Sequence, residues 1–381
     1  MRDAVLTEDQ LAFRDTVRAF VRREVLPHYP AWEEAGRVDR SAWLAAGRQG
    51  LLGLDMPAEY GGGDCADYRF AALITEELAR TGTAGFALAL HNDIIGPYLL
   101  GLADQQQRGR WLPGFCSGGT LAALALTEPG AGSDLAGVRT SARRDGDDYV
   151  LTGSKTLISN ALQADIVLVA AVTDPARQTR GRLTLLVVER DMPGFTRGPA
   201  LRKIGLHAQD TAELFFDEVR VPAANRLGDE GGGWQYLMRH LPRERLSIAV
   251  AAVAAAEAVL AETIAYCRDR RVFGRTLGEF QHVRFELAEM STEVEIARTY
   301  ADQCVLDHVA GRLDEVGAAR AKWWTTDLQR RVVDRCLQLH GGYGYLVEYP
   351  VARAYMDTRM MPIYGGTNEI MKEIIGRSLG L

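Results

Sequence analysis

Five stretches of this 381-residue chain carry residues able to hold or transform a ligand. Near the C-terminus, M-P-I-Y-G-G-T-N-E-I-M-K-E (Met361 to Glu373) sets an aromatic and two adjacent glycines ahead of a short helical pattern. Gly365-Gly366 fits a turn, a phosphate cradle, or a gap where a larger side chain has been left out. A helix opening at Thr367 presents free backbone N–H groups and a favourable dipole to an anion. T-E-P-G-A-G-S-D (Thr127 to Asp134) combines glycines that permit close backbone approach with the hydroxyls of Thr127 and Ser133. Alone, this octet reads better as a turn with an Asp cap. L-P-R-E-R-L (Leu241 to Leu246) reads alone as a first-turn helix segment, with Glu244 solvated after Pro242. R-D-R-R-V-F-G-R (Arg268 to Arg275) reads alone as the charged end of a helix, with Arg270 in a surface ion pair. L-H-G-G-Y-G-Y (Leu339 to Tyr345) reads as a glycine-rich helix terminus.

Several chemistries lack their motifs. No G-x-G-x-x-G follows a strand pattern, and neither a P-loop nor G-x-S-x-G is present. The seven histidines form no H-E-x-x-H, so no metal site is expected. A net charge of −6 argues against a nucleic-acid surface. The most apolar run, from Ile248, is short for a bilayer span and contains Glu257, so no membrane is expected. The five cysteines are scattered and odd in number, which fits reduced thiols and a cytoplasmic protein. No secretory leader pattern is visible at the N-terminus.

The elements that must position these stretches change period twice. From Thr7, a plausible N-cap, Leu11, Val17, Phe20 and Val21 share one helical face, with Pro27 and Pro30 ending the helix. Tyr68 to Leu78 predicts a second amphipathic helix. From about Leu121 short apolar runs (Ile166 to Val172, Leu183 to Glu189) and a hairpin signal at Asp145-Gly146 predict a β domain. Beyond the linker Gly228 to Gly233, helical period returns and predicts long helices to the C-terminus. The expected architecture is a multi-domain α+β chain. It has an all-α domain (1–120), a middle β-barrel or sandwich (121–228) and a C-terminal four-helix domain (229–381).

Taken together, T-E-P-G-A-G-S-D, K-T-L-I-S-N (Lys155 to Asn160), R-R-V-F-G-R, C-L-Q-L-H-G-G-Y-G and Y-G-G-T-N-E-I resemble the flavin-dependent acyl-CoA dehydrogenase family. L-D-M-P-A-E-Y-G-G near residue 55 extends the resemblance over essentially the whole chain. L-P-R-E-R-L and M-P-I-Y-G-G-T-N-E-I-M-K-E are most similar to the long-chain type. The resemblance implies FAD, α,β-dehydrogenation of an acyl thioester, an electron-transferring flavoprotein as acceptor, and a homotetramer built as a dimer of dimers. It implies that Leu124, Leu126, Thr127, Gly132, Ser133, Leu157 and Ser159 line the flavin. Arg270, Phe273 and Gln281, with Gln338, Gly341 and Gly342 of a second copy, would hold the dinucleotide end, and Thr367 and Glu369 would reach the cofactor from the last helix. Ser133, Asn92, Tyr364 and Gly366 would face substrate.

In most of that family the base is a Glu between the Tyr and Gly of the terminal motif. Here Gly365 stands there, leaving only its backbone N–H as an oxyanion donor. The long-chain and isovaleryl types carry the base on another helix just before an Arg, which implies Glu244 as base with Arg245 supporting it. An apolar pocket would raise its pKa toward neutrality. Alternatives within the resemblance are a dehydrogenase of carrier-protein thioesters, an oxygen-reactive flavin oxidase or monooxygenase, and a silent acyl-thioester-binding homologue. Leu157, where an aromatic is common, bears on the oxygen-reactive case.

Overall fold

The computed structural model describes residues 1–177 and 179–381. Thr7 caps α1 (Glu8–Phe20) through a capping box closed with Gln10. Helical winding continues through Val25 and stops ahead of Pro27, but Pro30 does not end it. Instead, Pro30 sits in the first turn of a following helix, Tyr29–Ala35, where its missing N–H costs nothing. The helix predicted from Tyr68 is α2 (Tyr68–Arg80), and it is not one-sided. Residues Ala71 to Ala79 are all buried, because α1 covers one flank and the long C-terminal helix another. A capping box of Asp104 and Gln107 starts α3 (Gln105–Ser117), which completes this helical part.

The middle segment forms one eight-stranded mixed sheet. Its strands are β1 (Ala122–Ala125), β2 (Ser141–Asp145), β3 (Asp148–Ser159), β4 (Ile166–Val172), β5 (Leu183–Glu189), β6 (Phe195–Arg197), β7 (Thr211–Pro222) and β8 (Arg226–Leu227). Their order is β6-β7-β3-β2-β4-β5-β8, with β1 parallel to β4. The hairpin expected at Asp145-Gly146 joins β2 and β3, with Asp145 opposite Asp148 and Gly146 at φ +60°. Unbroken apolar runs in β4 and β5 follow from burial on both faces. Val167, Val169 and Ala171 face one core with Leu151 and Phe216, while Ile166, Leu168 and Ala170 pack on Trp111 and Phe115 of α3.

Beyond β8 come α4 (Gly233–Asp269), α5 (Gln281–Val309), α6 (Glu315–His340), α7 (Pro350–Thr358) and α8 (Asn368–Ser378). The apolar run from Ile248 is part of the 37-residue α4, which by length and composition could cross a bilayer. Its apolar faces are instead covered by α2, α5 and α6. Pro242 and Glu244 lie well inside α4, which corrects the reading of Glu244 as a first-turn residue. After Asp269 the chain makes a two-stranded hairpin, Arg271–Val272 with Arg275–Thr276, rather than a charged helix end.

Arg298 locks the N-terminal helices to the C-terminal ones. It lies on α5, 2% exposed, and donates to both carboxyl oxygens of Glu257 on α4 at 2.6 and 2.9 Å. It also pairs with buried Glu76 of α2 and with Asp302 at 3.5 Å. Glu76 and Asp302 are each 1% exposed, so removing the guanidinium strands buried negative charge. Arg298→Met is expected to cost ~3–5 kcal/mol in chemical unfolding. A loss below about 1 kcal/mol, the range of exposed pairs, would show that this cluster does not lock the domains.

Candidate active site

Two buried cations hold the two glycine-bearing loops in place. Lys155 of β3, fully buried, donates to Leu126 O at 3.0 Å and to Glu128 Oε1 at 2.9 Å. Glu128 also accepts from the Arg139 and Thr140 N–H groups at 2.8 and 2.9 Å. Burial pushes the Lys155 ammonium down to about 8 against the pull of Glu128. Burial opposes charge on Glu128 too, but the bonds from Thr140 and Lys155 outweigh it and keep its pKa low. The Thr127–Asp134 segment is thereby tied to β3, with Gly132 and Ser133 exposed at its tip.

The second cation is Lys322 of α6, also fully buried. It donates to Gly366 O at 2.8 Å and to Asn368 Oδ1 at 3.1 Å. Thr367 caps α8 through its hydroxyl, accepting from Ile370 N at 3.4 Å. Gly365 and Gly366 both take positive φ, +65° and +90°, which a residue with a side chain adopts only under strain. Sequence reasoning missed both lysines. The chain has four lysines in all, and that scarcity is the one sequence signal that points to them.

A Cβ built on Gly365 would lie 3.5 Å from Glu244 Oε1 and 2.4 Å from Ile248 Cδ1. The two positions therefore address one volume. Burial raises the Glu244 carboxyl to about 7, although Arg245 and Lys322 draw it down. Arg245 is buried and reaches Glu315 at 3.3 Å. Its own carboxylate partner is thus not Glu244. Among the described residues no backbone carbonyl accepts the Gly365 N–H, which stays free for a ligand.

Beside this pair a cavity of ≈ 350 Å³ is lined by Tyr364, Ser159, Ile248 and Ala251. A bulge in β3 between Lys155 and Ile158 turns Leu157 outward at φ +59°, leaving it 64% exposed beside Ser159. Leu124 and Leu126 are half-buried on and after β1. Asn92 is corrected: it does not face the cavity. Its Oδ1 accepts from Gly53 N at 3.0 Å and its Nδ2 donates to Leu51 O at 2.7 Å, so it braces a loop. Neighbouring Asp93 accepts from Thr75 and Ser247, both of which line the cavity.

The remaining candidates gather elsewhere. Arg270, Gln338, Gly341 and Gly342 line a second cavity of ≈ 500 Å³. Phe273 stands 95% exposed at the hairpin tip, with φ +50° followed by Gly274 at +82°. A phenylalanine held in that conformation and offered to solvent is the kind of strain associated with binding sites. Gln281 opens α5 and Glu369 lies in the first turn of α8, both exposed. This chain does not bring the Arg270 group to the Glu244 group.

Sequence-family models match all three parts: the acyl-CoA dehydrogenase N-terminal domain over residues 7–119, the middle domain over 123–219 and the C-terminal domain over 231–380. The chain belongs to the acyl-CoA dehydrogenase family. It is an acyl-CoA dehydrogenase, with the family's three-part fold. It is 47% identical to the mitochondrial long-chain specific acyl-CoA dehydrogenase of Sus scrofa, over 98% of this chain and 87% of that one. Among solved structures it is similar to an acyl-CoA dehydrogenase from Geobacillus kaustophilus (TM-score 0.97, 47% identity, 99% of each chain). It is also similar to a glutaryl-CoA dehydrogenase from Mycobacterium smegmatis in complex with FADH2 (TM-score 0.92, 30% identity, 99% of this chain and 96% of that one).

The Gly365 geometry is directly testable against a second glycine. Gly365→Ala meets Ile248 and a positive φ, so it is expected to lose ~1–3 kcal/mol in urea unfolding. Gly376→Ala, in α8 with open space around it, is expected to gain ~0.5–1 kcal/mol. Equal effects at the two sites would contradict the assigned conformation of the Tyr364–Thr367 turn.

Proposed function

We propose that this acyl-CoA dehydrogenase oxidises long-chain acyl-CoA at Cα–Cβ, with Glu244 as base and the Gly365 N–H as oxyanion donor. The observation that carries this reading is the shared volume: the space beside Gly365 is reached by the Glu244 carboxyl. Glu244 removes the α proton, and its pKa near 7 keeps a large ionised fraction at neutral pH while matching it to a proton acceptor's task. The Gly365 N–H donates to the thioester carbonyl oxygen, where negative charge builds as the proton leaves. Tyr364 and Ile248 wall that point and exclude water, which strengthens both effects. Arg245 and Lys322 act through Glu244, holding its ionised form within reach of neutral pH.

The residues present fit FAD. A bulged strand offers Leu157 and Ser159 to a planar ring, and the α8 N-terminus offers N–H groups to an anion. When bound, FAD supplies the acceptor for the β-hydride. We place Thr127, Gly132, Ser133, Thr367 and Glu369 on the cofactor of their own chain. Arg270 lines the second cavity with Gln338, Gly341 and Gly342, so it and its neighbours Phe273 and Gln281 are placed with those three on that of a second copy, which changes the division the resemblance implied. The separation of these two groups within one chain supports a homo-oligomer, a tetramer by the family pattern. We also propose an electron-transferring flavoprotein as acceptor and a role in fatty acid oxidation in a reducing, cytoplasmic setting, which the five unpaired thiols suit.

A long chain is supported by the small residues Ala251, Ala255 and Ala258, which keep the cavity open along α4. Leu157 in place of an aromatic favours a second reading, in which the reduced protein reacts with oxygen. Rapid aerobic reoxidation after substrate reduction would establish that reading.

Glu244→Gln is expected to slow anaerobic flavin reduction by ~10²–10⁴-fold with FAD still bound. Unchanged bleaching by substrate would remove Glu244 from the mechanism. Because the base works deprotonated and its pKa is raised to about 7, kcat/KM should climb with pH below about 7 and level off above it. A profile flat from pH 5.5 to 8.5 would exclude that assignment.

A further inference from the structure

The cavity beside Tyr364 runs along α4, and its character changes along the way. One wall is Ile248, Ala251, Ala255 and Ala258, on a single face of the helix. The same wall ends at Glu262, ~21 Å from Ile248 at the helical rise per residue. Ala79, Gly82, Ala84 and Ala89 add further small groups to the lining. Polar groups also line the cavity: Glu262 at the end of the α4 wall, Arg353, Asp357 and Thr358 from α7, and Gln329 from α6, which lies midway between Lys322 (near Glu244) and Cys336 (beside Thr263) and so level with the alanines.

Gln329 is the unexplained residue there. It is fully buried and lines the cavity. Neither its amide nitrogen nor its amide oxygen has a hydrogen-bond partner among the described residues. A buried amide with both ends unmet is costly, and it is best explained by something that meets both ends in use.

The surrounding charges say what that something is. Glu262 and Asp357 are both raised by burial, Asp357 to about 6. Arg353 directs Nη1 to Glu33 at 3.4 Å, outside the cavity lining, and its Nε has no partner among the described residues. These two carboxyl groups share the lining with two guanidiniums that are already paired, Arg353 and Arg80, the latter with Glu257. A carboxylate arriving here would meet like charge, and a methyl end would leave Gln329 unmet. A hydroxyl both donates to the amide oxygen and accepts from the amide nitrogen.

We propose that the acyl cavity carries a subsite for a hydroxyl group at the point where an acyl chain passes Gln329, with that amide as its partner. This rests on the acyl-CoA dehydrogenase reading above and names the substrate class that suits this chain's own cavity. Gln329 is a specificity residue, far from the reacting carbons.

The test measures kcat/KM of the FAD-loaded protein for three acyl-CoA series of graded length: unsubstituted, ω-hydroxy and ω-carboxy. Variants Gln329→Leu and Gln329→Ala are compared with the wild type. The wild type is expected to favour ω-hydroxy over unsubstituted chains by ~10-fold at the length that brings the ω carbon to Gln329, with ω-carboxy chains poorest. Gln329→Leu is expected to erase that ratio by weakening the hydroxylated substrate and improving the unsubstituted one. If no acyl-CoA bleaches the flavin, the dehydrogenase reading itself fails. If unsubstituted chains turn over but the wild type shows no hydroxyl preference at any length, the subsite is overturned, and no variant is needed to see it. A preference that survives in both variants overturns the role of Gln329. A preference for ω-carboxy chains overturns the charge argument.

Discussion

Only one side chain fits between the Tyr364–Thr367 turn and the middle of α4. A Cβ at position 365 would already press on Ile248 and stand 3.5 Å from the Glu244 carboxyl. The carboxylate must therefore come from one element or the other, and here it comes from the helix. This placement leaves the turn free to be pure backbone. Two consecutive glycines at positive φ expose an N–H toward the reacting carbonyl, with no side chain to shield it. Base and oxyanion donor thus reside on separate elements, and their relation depends on how α8 and its preceding turn dock on α4 and α6.

That docking is the work of Lys322. A buried ammonium is unfavourable unless it is met by oxygen atoms, and Gly366 O and Asn368 Oδ1 meet it. The bond to Gly366 O fixes the peptide next to the oxyanion donor. Its charge also lies near enough to Glu244 to lower the cost of ionising a carboxylate in a dry site. Lys155 does the parallel task on the other wall, binding Glu128 and the Leu126 carbonyl so that the Thr127–Asp134 loop sits against β3. Both glycine-bearing loops are flexible by composition and rigid by virtue of a lysine behind them. Binding groups on otherwise mobile segments need such support to hold their geometry.

What the sequence revealed and what it hid follow from this arrangement. β4 and β5 were legible because burial on both faces writes a continuous apolar run. The α1 cap was legible because a capping box is local. Glu244 stood out only when set against the missing carboxylate at 365, since locally it looks like any glutamate after a proline. The local reading failed because Pro242 resembles an N1 residue while sitting inside a 37-residue helix. There the packing of α2, α5 and α6 outweighs the lost hydrogen bond. Asn92 misled for a related reason. A polar residue in an apolar helix suggests a ligand, but its amide is satisfied by the loop at Leu51 and Gly53, contacts set by tertiary packing alone. Lys155 and Lys322 were silent because a buried cation is recognised by its acceptors, which come from distant segments.

The same reasoning separates Asn92 from Gln329, both buried amides in helical surroundings. Asn92 donates and accepts within the protein, so its burial is explained without a ligand. Gln329 does neither, and it faces a cavity instead of a loop. A polar side chain kept dry and unmet lowers stability. α4 then carries two polar positions at opposite ends of one apolar face, Glu244 toward the reacting carbons and Glu262 at the other end, and Gln329 of α6 faces the stretch between them. The alanines between them set the distance a chain must span to touch both. On this view the length of the substrate and the polarity of its far end are selected together, because only a chain long enough to reach Gln329 gains anything from a hydroxyl there.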